Sequence, residues 1–124
     1  MKNSIQNFQI PVIDFDRAYD FYSKVMDYEL QKFKHDNASM GIFRFDTSSG
    51  GVGGTIIKGD GLKPSKEGTM VYLDTGDDAQ PYLDRVVENG GSIFVEKTSL
   101  GPSMGYFAIF DDMEGNRVGF YSRG

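Results

Sequence analysis

Apolar positions along the chain follow two rhythms, a period of two and a period of three to four, which succeed one another twice. Phe8, Ile10 and Val12 occupy alternate places in residues 5–12, the pattern of a half-buried strand. Pro11 has no amide donor and marks an edge or the end of pairing there. The spacing then changes: Phe15, Ala18, Tyr19, Tyr22, Val25 and Met26 form one apolar stripe, predicting a helix over 15–26 capped by Asp14 or Asp16. Residues 28–34, 41–46 and 52–58 read as three strands, separated by the turn His35-Asp36-Asn37 and the tract Thr47-Ser48-Ser49-Gly50-Gly51.

The same order returns after a polar stretch rich in Pro and Gly. Residues 69–75 predict a strand, and Asp77 or Asp78 caps a helix that carries Tyr82, Leu83, Val86 and Val87 on one face. Pro81 fits near its start, and Asn89-Gly90-Gly91 stops it. Strands follow at 92–97, 106–110 and 117–121, with residues 112–116 turning between the last two. The expected organisation is strand-helix-strand-strand-strand written twice, as modules 5–61 and 68–122 joined by a linker at 62–67, in one α+β domain spanning 1–124. A module of roughly 60 residues buries little core alone, so the two are expected to pack as a pseudo-symmetric pair.

Composition narrows the chemistry. With no Cys and a single His, thiolate nucleophiles, disulfides, zinc-cysteine centres and multi-histidine metal sites are excluded. Eighteen acidic against thirteen basic residues give a net charge of -5, which repels phosphate backbones and anionic lipid, so neither nucleic acid nor a membrane is an expected partner. The opening residues lack the apolar run of a secretory signal, and no segment is apolar over a bilayer's width; a cytoplasmic location is expected. The run Gly50-Gly51-Val52-Gly53-Gly54 is followed by neither a Lys-Ser pair nor a helix, so it reads as a hairpin and bulge at a sheet rim rather than a phosphate loop.

The stretch FQIPVIDFDRAYDFYSKVM from Phe8 resembles the opening strand and helix of the vicinal oxygen chelate superfamily, which includes glyoxalase I, bleomycin-resistance proteins and extradiol dioxygenases. SMGYFAIFDDMEGNRVGFY resembles its closing hairpin, with Ser103 where Gly is usual and Met113 where Pro is frequent. The resemblance implies a curved mixed sheet in each module, the two forming an open cup around a ligand. It also implies where metal ligands would stand: on the first and last strand of each module. Those places fall on Asn7, or Gln9 on the same strand face, on a residue of 54–57, on Met70 and on Gly119. Such a set does not hold a hard divalent ion, so no metal and no cofactor is expected.

His35 is either a solvated turn residue or a base that lacks a placed partner acid. Asp74 shares a strand face with Met70 and Tyr72, and is either a strand-end acid near solvent or a group that points into the cup. Arg44 alternates with Phe43 and Phe45, so it looks into a wet cup or lies on the outer surface; Lys58 ends a strand as a solvated charge. Seven Tyr and ten Phe exceed the needs of a simple core. Phe45, Phe107 and Phe110 read as sheet-to-helix core, while Tyr72, Tyr106 and Tyr121 read as cup lining with hydroxyls in need of partners. The loops at 59–68 and 101–105 are expected at the rim.

The expected function is metal-independent binding of a small planar or amphipathic organic molecule by a homodimeric protein. The residues expected to line the site are Gln9, Arg44, Met70, Tyr72, Asp74, Tyr106 and Tyr121. The alternative is a metal-independent isomerase or lyase that uses Asp74, a tyrosine or His35; a purely structural or protein-interaction domain is the third reading.

Overall fold

The computed structural model describes residues 3–124. Its elements are β1 (Asn7–Pro11), α1 (Phe15–Met26), β2 (Gln31–His35), β3 (Ala38–Ile42), β4 (Gly53–Lys58), β5 (Tyr72–Asp74), α2 (Gln80–Glu88), β6 (Ser92–Ser99), β7 (Tyr106–Asp111) and β8 (Arg117–Ser122). They build two four-stranded mixed sheets in the orders β1-β4-β3-β2 and β5-β8-β7-β6. In each sheet the first strand pairs in parallel with the last, and the other pairs are antiparallel. Thus β1 and β5, equivalent strands of the two modules, are both sheet edges.

Helix α1 forms where its stripe predicts. The Asp14 side chain accepts from the Arg17 amide at 3.2 Å, and Glu114, a hundred residues on in sequence, accepts from the Ile13 and Asp14 amides at 2.6 Å each. Buried Ala18, Phe21, Tyr22, Val25 and Met26 face the sheets. The helix ends on Asp27 at a positive φ of 62°, with the Tyr28 amide donating to Ser23 O at 3.1 Å. That exit absorbs Tyr28, so β2 begins at Gln31 rather than at 28. In α2 the cap position is Ala79, not Asp77 or Asp78, although Asp78 accepts from the Gln80 amide at 3.0 Å and serves the helix end from one residue upstream.

The third strand is the main displacement from the sequence pattern. Asp36, at φ 52°, makes the β2–β3 connection a two-residue turn that pairs His35 with Ala38, so β3 starts three residues before the expected 41. Its regular span ends at Ile42, the Phe43 amide still donates to Gly54 O at 2.9 Å, and the Arg44 amide donates to the Tyr28 hydroxyl at 3.1 Å. Arg44 therefore sits in the segment after the strand. The first strand is shorter than 5–12 and ends at Pro11, where a missing donor costs nothing. Regular β5 spans only three residues, yet the Gly119 amide also donates to Val71 O and the Thr75 amide to Tyr121 O, extending the contact at both ends.

One core joins both modules. Ile10, Ile56, Leu73, Phe110, Val118 and Phe120 point to the helices, and Tyr22 of α1 meets Phe43 of the first module and Phe110 of the second at ring-centre separations of 5.6 and 6.4 Å. The seam is closed by a polar hub. Buried Asp112 accepts from the Tyr22 hydroxyl at 2.8 Å and from Asn116 Nδ2 at 3.0 Å, and Asn116 Nδ2 donates also to Pro11 O at 2.7 Å. Asn116 Oδ1 accepts from the Ser65 amide at 3.0 Å, which ties the inter-module linker to the same point. No helix of the described residues is long and apolar enough to cross a membrane.

Candidate ligand-binding cleft

Register decides which side chains leave the core. Gln9 pairs with Thr55, and Tyr72 with Gly119, so these four stand on the sheet faces turned away from the helices, with Asp74 and Tyr121 alongside Tyr72 and Gly119. Because β1 and β5 each pair on one side only, their outer flanks border a gap. A cleft of about 980 Å³ opens there, lined from both strands and floored by aromatic rings of the core margin, among them Phe8, Tyr28, Phe43 and Tyr82. Its size and apolar floor suit a small organic ligand.

Five of the seven side chains expected at the site line this cleft: Gln9, Arg44, Met70, Tyr72 and Asp74. Tyr121 does not; with Tyr72, Leu100 and Phe107 it lines an adjoining apolar hollow of about 420 Å³, and its hydroxyl donates to Met104 O at 3.1 Å. Tyr72 lines both hollows. Tyr106 lies elsewhere. It shares strand parity with Ala108 and Phe110, pairs with Ser122 on the helix-side face, and carries the Lys97 ammonium 4.7 Å above its ring. Of the three rings assigned to the core, Phe110 is fully buried, Phe107 lines the smaller hollow and Phe45 is 43% exposed.

His35 and Asp36 form a solvent-exposed pair 3.5 Å apart at the tip of the β2–β3 hairpin, and Lys58 is exposed at the end of β4. Neither His35 nor Lys58 lines a cleft. Asp74 is exposed and uses Oδ1 to accept from the Gly76 amide at 2.9 Å, turning the chain after β5. The sequence reading did not pick out Tyr28. It lines the cleft, its hydroxyl accepts the Arg44 amide, and the Arg44 guanidinium stacks 4.3 Å above its ring. Burial pushes the Tyr28 phenol above the ordinary tyrosine range, so it stays neutral at physiological pH. Its signal was present as an aromatic just past the helix stop, but only the displaced β3 brings Arg44 to it.

The metal positions implied by the resemblance fail a test of donor chemistry. Asn7 is an exposed amide on β1; in β4 the space beside Gly54 is filled by the Phe8 ring, and the Thr55 hydroxyl is buried without a partner. Met70 offers a thioether, and the Tyr72 ring lies where a side chain on Gly119 would begin. Neutral amide, hydroxyl and thioether groups do not fit a hard divalent ion. Among the described residues no three acidic or imidazole side chains converge elsewhere.

Residues 4–120 match the model of the Glyoxalase/Bleomycin resistance protein/Dioxygenase superfamily. The chain belongs to this superfamily. A glyoxylase-like domain-containing protein from Didymella fabae is 28% identical over 119 residues, covering 94% of this chain and 91% of its relative. Among solved structures, the fosfomycin resistance protein FosX from Listeria monocytogenes superposes with a TM-score of 0.65 at 14% identity, over 98% of this chain and 92% of FosX. A glyoxalase I variant from Zea mays gives a TM-score of 0.70 at 18% identity, over 94% of this chain but 45% of the maize chain. At these identities the structural likeness is one of fold, and a glyoxalase-type fold hosts unlike chemistries. The α+β architecture of paired four-stranded mixed sheets is thus that of the superfamily, and what this member does must be argued from its own cleft.

Proposed function

We propose that this glyoxalase-superfamily protein binds a small planar or amphipathic organic molecule in the cleft between β1 and β5, without a metal. The observation that carries the reading is the combination, at one seam, of a ligand-sized hollow floored by Phe8, Tyr28, Phe43 and Tyr82 with a set of ligand positions that offers no anionic donor. Rings supply apolar area and flat faces, while Gln9 and Asn7 at the rim supply amide donors and acceptors. Tyr72, which lines both hollows, is placed to limit the length of ligand accepted. The same reading takes the protein as a cytoplasmic homodimer; the support for a second copy is the apolar exposure of Leu100 and Met104 beside that hollow. Catalysis by Asp74 gains no support, because its carboxylate is engaged in accepting from the Gly76 amide.

An uncharged planar probe, naphthalene-2-carboxamide, tests the cleft by calorimetric titration. One molecule is expected to bind per chain with a Kd on the order of 10–100 μM, modest because no charge is paired. Prior treatment with EDTA should leave this value unchanged. Asn7→Trp places a ring in the cleft from an exposed strand position and should weaken binding about tenfold or more at unaltered thermal stability. Loss of binding after EDTA, or indifference to Asn7→Trp, would overturn the reading.

A further inference from the structure

Charge is sparse in the cleft: of its lining residues only Arg44 and Asp74 are ionised side chains. Asp74 already spends one oxygen on the Gly76 amide. Arg44 is different, since no carboxylate of the described residues comes within ion-pair distance of it, whereas Arg117 and Arg123 are paired with Asp111 and Asp77. Its partners are aromatic and local. The main-chain amide is held by the Tyr28 hydroxyl at 3.1 Å, and the guanidinium carbon lies over the Tyr28 ring, 4.3 Å from its centre. A cation–π contact of this kind restrains the position of the guanidinium and leaves its N–H groups for a ligand.

An unpaired, pre-oriented guanidinium beside an apolar floor is a receptor for a two-oxygen anion. Resting on the cleft reading above, we propose that the ligand is an amphipathic monocarboxylate whose acid group pairs bidentately with Arg44 while its apolar body lies on Phe8 and Phe43. Two features select one negative charge over two. The cleft provides a single cation with Asp74 on its β5 wall, and the whole chain carries a net charge of -5, so a dianionic phosphate meets more repulsion than one guanidinium offsets. The planar fork of Arg matches a carboxylate in the same way that it would be wasted on an uncharged amide.

The test compares naphthalene-2-carboxylate, its carboxamide and 2-naphthyl phosphate by calorimetric titration against the intact protein, Arg44→Gln and Arg44→Lys. The carboxylate is expected to bind about tenfold or more tighter than the carboxamide, the gain of one charge-assisted bidentate pair. Arg44→Gln should erase that preference by bringing carboxylate affinity down to that of the carboxamide; Arg44→Lys, which keeps the charge but not the planar fork, should retain only part of it. Both variants alter an exposed side chain, and an unchanged thermal midpoint verifies that they fold. Equal affinities for carboxylate and carboxamide in the intact protein, or a preference that survives Arg44→Gln, would refute the carboxylate assignment and leave the cleft reading standing. Tightest binding of the phosphate would likewise refute it. Failure of all three compounds to bind would overturn the cleft itself.

Discussion

Asp112→Ala is expected to destabilise the protein by about 3–5 kcal/mol, because the substitution strands several buried donors at once. The carboxylate is 5% exposed and accepts four hydrogen bonds: from the Tyr22 hydroxyl at 2.8 Å, from Asn116 Nδ2 at 3.0 Å, and from the Glu114 and Asn116 amides at 2.9 Å each. Tyr22 and Asn116 are buried, so their donors have no ready substitute in water. Tyr22 is fully buried, and burial first, then the negative charge of Asp112, hold its phenol far above the ordinary tyrosine range. Its proton therefore stays on to donate. The effect reaches the cleft as well, since Asn116 oriented by Asp112 holds Pro11 O at the end of β1 and the Ser65 amide of the linker. Urea denaturation followed by tyrosine fluorescence measures the change. Tyr22→Phe, which removes one hydroxyl and leaves three donors on the carboxylate, should cost only about 1–2 kcal/mol. An Asp112→Ala cost below that of Tyr22→Phe would show that the hub does not hold the modules together.

Gly105→Ala should cost about 2–4 kcal/mol, the sum of left-handed backbone strain and overpacking. Gly105 is buried with φ at 84°, and a methyl group there would meet the Tyr121 hydroxyl and lie 2.6 Å from Ser122 O. The backbone oxygen cannot swing away as a side-chain tip can. Gly105 O also accepts from the Leu100 amide at 2.9 Å, so a shift would carry along the loop that covers the smaller apolar hollow. Gly115→Ala is the control. It has a similar φ of 92° but open space around the added methyl, so it should cost only the strain, about 1–2 kcal/mol. Equal losses in the two variants, read from chemical denaturation at unchanged m-value, would refute the packing part of this account.

Much of the architecture is legible along the chain because the signals are local. The stripe from Phe15 to Met26 needs only its neighbours to declare a helix, and alternation through Phe8, Ile10 and Val12 needs only its neighbours to declare a strand. Where the pattern misled, turn chemistry intervened. Asp36 adopts a left-handed conformation that makes a two-residue turn, which moves β3 from 41–46 to Ala38–Ile42 and takes Arg44 off the strand. Residue type groups Tyr106 with Tyr72 and Tyr121, but strand parity puts it with Ala108 and Phe110 on the opposite face. A shift of one residue exchanges faces, so type alone is a poor guide to lining.

The sequence by itself determined the kind and order of the elements and their duplication. Those properties reside in spacing and composition, which need no partner distant in the chain. Tertiary structure decided which faces turn from the helices, that two edge strands border a cleft, that Tyr28 presents Arg44 there, and that Asp112 joins Tyr22 across the modules. Each of these joins groups from different elements, and their meeting follows from register, turn geometry and packing rather than from any local period.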